Sequence, residues 1–93
     1  MKKFLSKEIH LHERLTINQL LALHTYQKNY HGDIYLLLNH KTITLENLAN
    51  LVSLSLTITP KSKIQLIVEG ENAQEALDEL TECIYREVYI FAN

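Results

Sequence analysis

Hydrophobic positions along this chain switch repeatedly between two periods, near two and near three and a half residues. From Phe4 to about Leu11, the apolar residues Phe4, Leu5, Ile9 and Leu11 mix with charged ones in an imperfect alternation that reads as a first strand. Thr16-Ile-Asn-Gln19 fits a capping box, in which the Thr hydroxyl accepts from the backbone three residues on and Gln reaches back. A helix follows to about Asn29, with Ile17, Leu20, Leu23 and Tyr30 near helical spacing and Leu21 widening the stripe. His31-Gly32 stops it. Asp33 to Leu38 is a strongly apolar strand, Asn39-His40 a two-residue turn, and Lys41 to Leu45 the returning hairpin partner. Asn47 caps a short helix to about Leu54 that carries Leu48, Leu51 and Val52. Pro60, Lys61 and Ser62 mark a turn. Lys63 to Glu69 is a strand with Ile64, Leu66 and Val68 on one face. Asn72-Ala-Gln-Glu75 reads as a second capping box, with Asn in place of Ser or Thr. The last helix has the cleanest period: Ala73, Ala76, Leu77, Leu80, Ile84 and Val88.

The order is β-α-β-β-α-β-α. That order predicts an α+β open-faced sandwich, with helices on one side of an antiparallel sheet. Residues 1–93 read as one domain, without linker, repeat or low-complexity segment. With 46% apolar residues, two glycines and one proline, the chain can build a core without disulfide or metal.

Charge narrows the partners. The formal net charge is −2, and the cluster of Lys2, Lys3 and Lys7 is diluted by Glu8 and Glu13, so no basic stripe suits a phosphate backbone. Nucleic acid is not expected as a partner. The single cysteine, Cys83, forms no internal disulfide, which fits a reducing compartment. No apolar run is long enough to span a bilayer, and polar residues arrive by Ser6, too early for a signal-peptide core. No membrane association and a cytoplasmic location are the expectations.

Tyr30, Asp33-Ile-Tyr-Leu, Lys41-Thr-Ile-Thr-Leu, the helix from Leu48 to Leu54, and Gly70-Glu-Asn-Ala-Gln-Glu-Ala-Leu-Asp-Glu-Leu together resemble HPr, the histidine-containing phosphocarrier family of the bacterial sugar phosphotransferase system. The resemblance covers nearly the whole chain. It implies an HPr-like sheet of four strands ordered 1-4-2-3 with three helices on one face. Family members accept a phosphoryl group from enzyme I on a histidine at the start of the first helix, in a Gly-x-His-Ala-Arg-Pro motif. Counted back without gaps from Lys41-Thr42, that motif falls on Arg14-Leu-Thr-Ile-Asn-Gln19. The resemblance therefore sets Thr16 at the phosphorylated histidine, Asn18 at the arginine and Gln19 at the proline. Asn47 stands where low-GC Gram-positive members carry a regulatory serine.

These replacements change the chemistry. A carrier needs an imidazole nitrogen held where helix N–H groups and dipole stabilise the phosphate, and an arginine assists through charge-assisted hydrogen bonds. Thr16 and Asn47 keep the capping role and lose that chemistry. A phosphothreonine is a stable ester, unsuited to rapid onward transfer. HPr-like proteins without the active histidine act, where known, in regulation by protein binding.

Other titratable residues divide between bland and sharp readings. His10 and His12 share a strand face close before Thr16, as two polar residues at a strand end or as a relocated nucleophile. Two histidines are too few for a tetrahedral zinc site, and neither metal nor cofactor is expected. His24 falls beside the apolar stripe of the first helix and reads as a hydrogen-bonded, partly buried residue. His31 and His40 lie at turns. Cys83 reads as a half-buried structural thiol. Val88-Tyr-Ile-Phe-Ala92 is apolar and β-prone, so it folds back on the helix layer or offers an edge for self-association or a partner. Tyr26, Tyr30, Tyr35 and Tyr85 are amphipathic aromatics that suit interfaces.

Three functions compete. The favoured one is a non-enzymatic regulatory, protein-binding domain whose surface includes Thr16, Asn18, Leu21, Asn47, Leu48 and Val52. Its partners would be phosphotransferase-system or transcription-regulatory proteins. The second is a divergent phosphocarrier that uses His12 or His10. The third is an oligomerisation module, a homodimer formed through the C-terminal segment.

Overall fold

Seven elements follow one another in the order that the hydrophobic pattern predicts: β1 (Phe4–His10), α1 (Ile17–Asn29), β2 (Gly32–Leu38), β3 (Lys41–Thr44), α2 (Leu48–Thr57), β4 (Lys63–Gly70) and α3 (Ala73–Arg86). The computed structural model describes residues 4–11, 14–58 and 62–86. His12, Pro60, Lys61 and the segment from Val88 to Ala92 lie outside the described residues.

The strands form one sheet in the order β1-β4-β2-β3, every pair antiparallel. Both the strand order and the three helices agree with the HPr-like expectation. Period-two alternation fixes the register. Leu5 stands opposite Val68 and Ile9 opposite Ile64 on one side of β4, while Ile34 faces Val68 and Leu36 faces Leu66 on the other. Ile9, Ile34, Leu36, Ile64, Leu66 and Val68 are almost wholly buried beneath the helices. Lys7 occupies the inward register of the edge strand β1, opposite Leu66, and stays exposed. It breaks the alternation of the first strand, and an inward-set charge on an edge also resists pairing with foreign strands.

The turns follow from local chemistry. Asn39 and His40 have φ of 51° and 66°, the pair of positive values that a type I′ hairpin turn requires. The capping box at Thr16 is complete, and the Asn47 side chain caps α2 by accepting from Asn50 N at 3.0 Å. Asn72 departs from expectation. Its φ is 51°, outside the extended region of a capping residue, and it joins α3 through its carbonyl, which accepts from Ala76 N at 3.1 Å. α2 also runs to Thr57, past the expected end at Leu54. There Ser55 Oγ donates to Val52 O at 2.8 Å and Thr57 Oγ1 to Leu54 O at 2.7 Å, so hydroxyls that usually compete with a helix fold back onto it.

The inward face of α1 differs from its hydropathy stripe. Leu20 and Leu23 are buried as expected, but Ile17 is 57% and Leu21 43% exposed. Gln19, Ala22 and Gln27 point inward with Leu20 and Leu23. Gln27 tolerates burial because Nε2 donates to Gly32 O at 3.0 Å and Oε1 accepts from Ile34 N at 2.9 Å, which ties the end of α1 to the start of β2. Along α3, Ala73, Ala76, Leu77, Leu80 and Ile84 are buried as read from the sequence. Cys83 is buried completely rather than by half.

One close approach depends on glycine. Gly32 and Gly70 stand opposite each other across β2 and β4, with φ of 154° and 150°, and Tyr30 lies over the pair. A Cβ on Gly70 would meet His31 O at 2.7 Å and Gly32 Cα at 3.0 Å, both backbone atoms that cannot swing aside. Gly70→Ala is expected to cost about 1–3 kcal/mol through strained backbone and overpacking. Urea unfolding reads this directly, and an unchanged midpoint at equal slope would refute the close-packing account.

Candidate functional site

The start of α1 is organised by two side chains. Thr16, extended at φ −76° and ψ 162°, accepts at Oγ1 from Gln19 N at 3.1 Å, and its own N–H donates to Gln19 Oε1 at 2.6 Å. The Gln19 amide nitrogen then reaches the far end of α3, donating to Cys83 O at 3.3 Å and Ile84 O at 2.9 Å. These carbonyls lie in the last described turn of α3. Gln19 is buried and uses both ends of its amide, so its role is to fasten α1 to α3. The sequence showed its reach back to Thr16. The contact with α3 joins positions 64 and 65 residues apart and has no local signature.

Thr16 and Asn18 are exposed beside Ile17 and Leu21. Asn47 is exposed at the start of α2, while Leu48 and Val52 are partly buried against the core and Leu56 is 65% exposed. α1 and α2 pack against each other. His24 bridges them, its Nδ1 lying 3.0 Å from Leu45 O just before α2. Because a carbonyl only accepts, Nδ1 carries the proton there. The six residues expected to form a surface are thus distributed over two neighbouring helices. What they offer is one hydroxyl committed to capping, amides and aliphatic groups, with no acidic residue in the first turn of either helix.

His10 sits at the end of β1 and is exposed. Its Nε2 lies 3.3 Å from Glu8 Oε1, and its backbone N–H donates to Tyr85 Oη at 3.3 Å. Tyr85 follows Ile84, so the last turn of α3 is tied both to the end of β1 and, through Gln19, to the start of α1. His31 and His40 are exposed at their turns. Among the described residues, no group of three or more His, Cys, Asp or Glu side chains is arranged to hold a metal ion.

A cleft of about 210 Å³ opens at the other end of α1 between Tyr26, Tyr30, His31, Glu71 and Glu75. The Tyr26 and Tyr30 rings lie 6.1 Å apart, and Tyr30 Oη donates to Glu71 O at 2.6 Å. Burial, then the charges of Glu79 and Glu75, push the Tyr26 phenol up to about 12. Burial and the neighbouring Glu75 also raise the Glu79 carboxyl, against a lowering hydrogen bond from Tyr26. These tyrosines read from sequence as interface aromatics, whereas Tyr30 is also a structural cover over the glycine pair.

The sequence matches no family model and no curated protein. Solved structures share the fold. A phosphocarrier protein HPr from Bacillus anthracis str. Ames is 24% identical, with a TM-score of 0.73 over 87% of this chain and 96% of that one. The histidine-containing phosphocarrier protein of Mycoplasma is 18% identical, with a TM-score of 0.68 over 87% of this chain and 92% of that one. The chain therefore has an HPr-like fold. No helix among the described residues is long and apolar enough to cross a membrane.

Two measurements test the site. Gln19→Leu keeps bulk but removes the partner of Thr16 N and the tie to the Cys83 and Ile84 carbonyls, and is expected to cost about 1–3 kcal/mol in urea unfolding; a variant as stable as the parent would remove the fastening role. Alkaline unfolding tests Tyr26. Its folded pKa lies above the ordinary value of 10, so the neutral phenol's contribution is complete below pH 10 and is lost as pH rises through about 12. Tyr26→Phe should flatten that fall. An identical profile in the variant would assign it elsewhere.

Proposed function

We propose that this chain is a regulatory, protein-binding domain on an HPr-like fold that does not carry phosphate. The observation that supports this reading best is the state of Thr16. Its oxygen stands where the resemblance sets the phosphorylated histidine, and it is engaged by Gln19 N as a helix cap. Phosphorylation there would compete with the cap and leave a stable ester. Asn18 stands in place of the arginine and supplies no cation, and Gln19, in place of the proline, is committed to α3. Around this point the face of α1 and α2 presents Ile17 and Leu21 to solvent, with Leu48 and Val52 beside them. Exposed aliphatic groups around neutral amides favour contact with another protein's apolar surface. The proposed surface is Thr16, Asn18, Leu21, Asn47, Leu48 and Val52.

One observation favours a second reading. His10 presents an exposed imidazole beside Glu8, at the end of the fold where β1, α1 and α3 are tied together. A carboxylate near one ring nitrogen orients an imidazole for use of the other. In that reading His10, or His12 beyond it in sequence, is the phosphoryl acceptor.

Intact mass after incubation with enzyme I and phosphoenolpyruvate, beside a competent HPr, separates the two. The expected outcome is no gain while the control is fully modified. An acid-labile gain of one phosphoryl group, abolished by His10→Ala or His12→Ala, would overturn the non-carrier reading. An acid-stable gain lost in Thr16→Val would point to the capping hydroxyl instead.

A further inference from the structure

β1 is the first strand in the sheet order and, among the described residues, pairs on one side only, with β4. Two bonds mark which of its groups face outward. Leu11 N–H donates to Ser62 O at 2.8 Å, in line with β4, whereas His10 N–H points the other way and donates to Tyr85 Oη at 3.3 Å. In an antiparallel pair, residues that bond across the ladder alternate with residues that do not. Lys7 and Ile9 therefore bond to β4, and Ser6 and Glu8 turn their N–H and C=O groups to the open edge, a template for a further strand. The Tyr85 contact also fixes where α3 arrives. The helix lies over β4 and β1, and its last described turn is held at the His10 end of that edge.

We propose that the residues after α3 occupy this edge as a fifth strand, β5 (Val88–Ala92), antiparallel to β1, which gives the order β5-β1-β4-β2-β3. Direction supports it. A chain that leaves α3 beside His10 and follows the edge runs toward Phe4. That is opposite to β1 and parallel to β4, whose first residue, Lys63, stands opposite His10. The connection is then β4–α3–β5, a parallel crossover that passes over one antiparallel strand. β1–α1–β2 is the same unit, passing over β4. A half-turn about an axis normal to the sheet interchanges the two with the helices on the same face, so both have one hand. A fold that obeys the right-handed rule for such crossovers in the first unit obeys it in the second.

Length and residue type agree. Tyr85 takes the edge at His10, so Glu8 is the first open position. Glu8 back to Phe4 is about 17 Å of strand, and Val88-Tyr-Ile-Phe-Ala92 supplies the same number of residues, most of them β-branched or aromatic. In that register Val88 pairs with Glu8 and Ile90 with Ser6, while Tyr89 comes beside Lys7 and Phe91 beside Leu5 on the helix side. Leu5 is only partly buried against the core. A tyrosine ring gives the inward-set ammonium of Lys7 a cation–π partner that an aliphatic foreign strand lacks. The chain thus closes its own edge with the one segment whose side chains tolerate Lys7.

Residue-resolved amide exchange of the full chain by NMR tests this. The expected result is slow exchange at Ser6 and Glu8 as well as at Lys7 and Ile9. Ile90→Pro removes the N–H opposite Ser6, and deletion of residues 88–93 removes the strand. Both should speed exchange at Ser6 and Glu8 by about tenfold or more, while Lys7 and Ile9, bonded to β4, stay slow. Ser6 and Glu8 amides that exchange freely in the parent overturn the fifth strand. So does protection that survives both variants. Protection that rises with protein concentration assigns the edge to a second copy and overturns it too. None of these results touches the non-carrier reading, which phosphoryl transfer tests separately.

Discussion

The amide of Gln19 is the contact on which the candidate face depends. One buried side chain satisfies the first N–H of the Thr16 cap and two carbonyls in the last turn of α3. Helix starts are where backbone N–H groups lack partners, and here the Thr16 N–H finds one in the side chain that also reaches α3. A residue there must both accept and donate, at a reach of several ångströms, in a dry site. Gln does all three, whereas an aliphatic side chain makes none of these bonds and a carboxylate cannot donate to carbonyls. With α1 fastened by its start to α3, and by His24 to the segment before α2, the orientation of Ile17 and Leu21 toward solvent follows from the packing. They are exposed because Gln19, Leu20 and Leu23 have taken the inward positions.

The legible parts of the fold were those whose cause is local. Thr16 and Asn47 announce helix starts because a short oxygen can reach a backbone N–H three residues on, and Asn39-His40 announces a hairpin because both residues accept a left-handed backbone. Ile64, Leu66 and Val68 announce a strand because period two leaves one buried face. The failures have one common form. Reading apolar residues alone set Ile17 inside and gave Gln19 and Gln27 no inward place, although hydrogen bonds to distant backbone make the two glutamines the buried ones. Asn72 fails in a related way. The residue type suits a cap, but the chain leaving Gly70 turns through a left-handed step that takes its side chain out of the capping geometry. The sites of the two helices were legible by position, and the fastening between them was not, because it joins residues far apart in sequence.

Capping and carrier chemistry place opposite demands on the same position. A cap needs an oxygen turned inward to the helix N–H groups. A carrier needs a nucleophile turned outward, with those N–H groups kept open for the phosphate. In Thr16 the first demand is met, and the donor that a phosphate would use, Gln19 N, is already bonded. The residue three positions on reinforces the choice, since its Oε1 takes the Thr16 N–H as well. The two bonds are reciprocal, each side chain accepting from the other residue's backbone N–H. A helix start capped in this way gains stability. Beside it, Ile17 and Leu21 stay open to solvent.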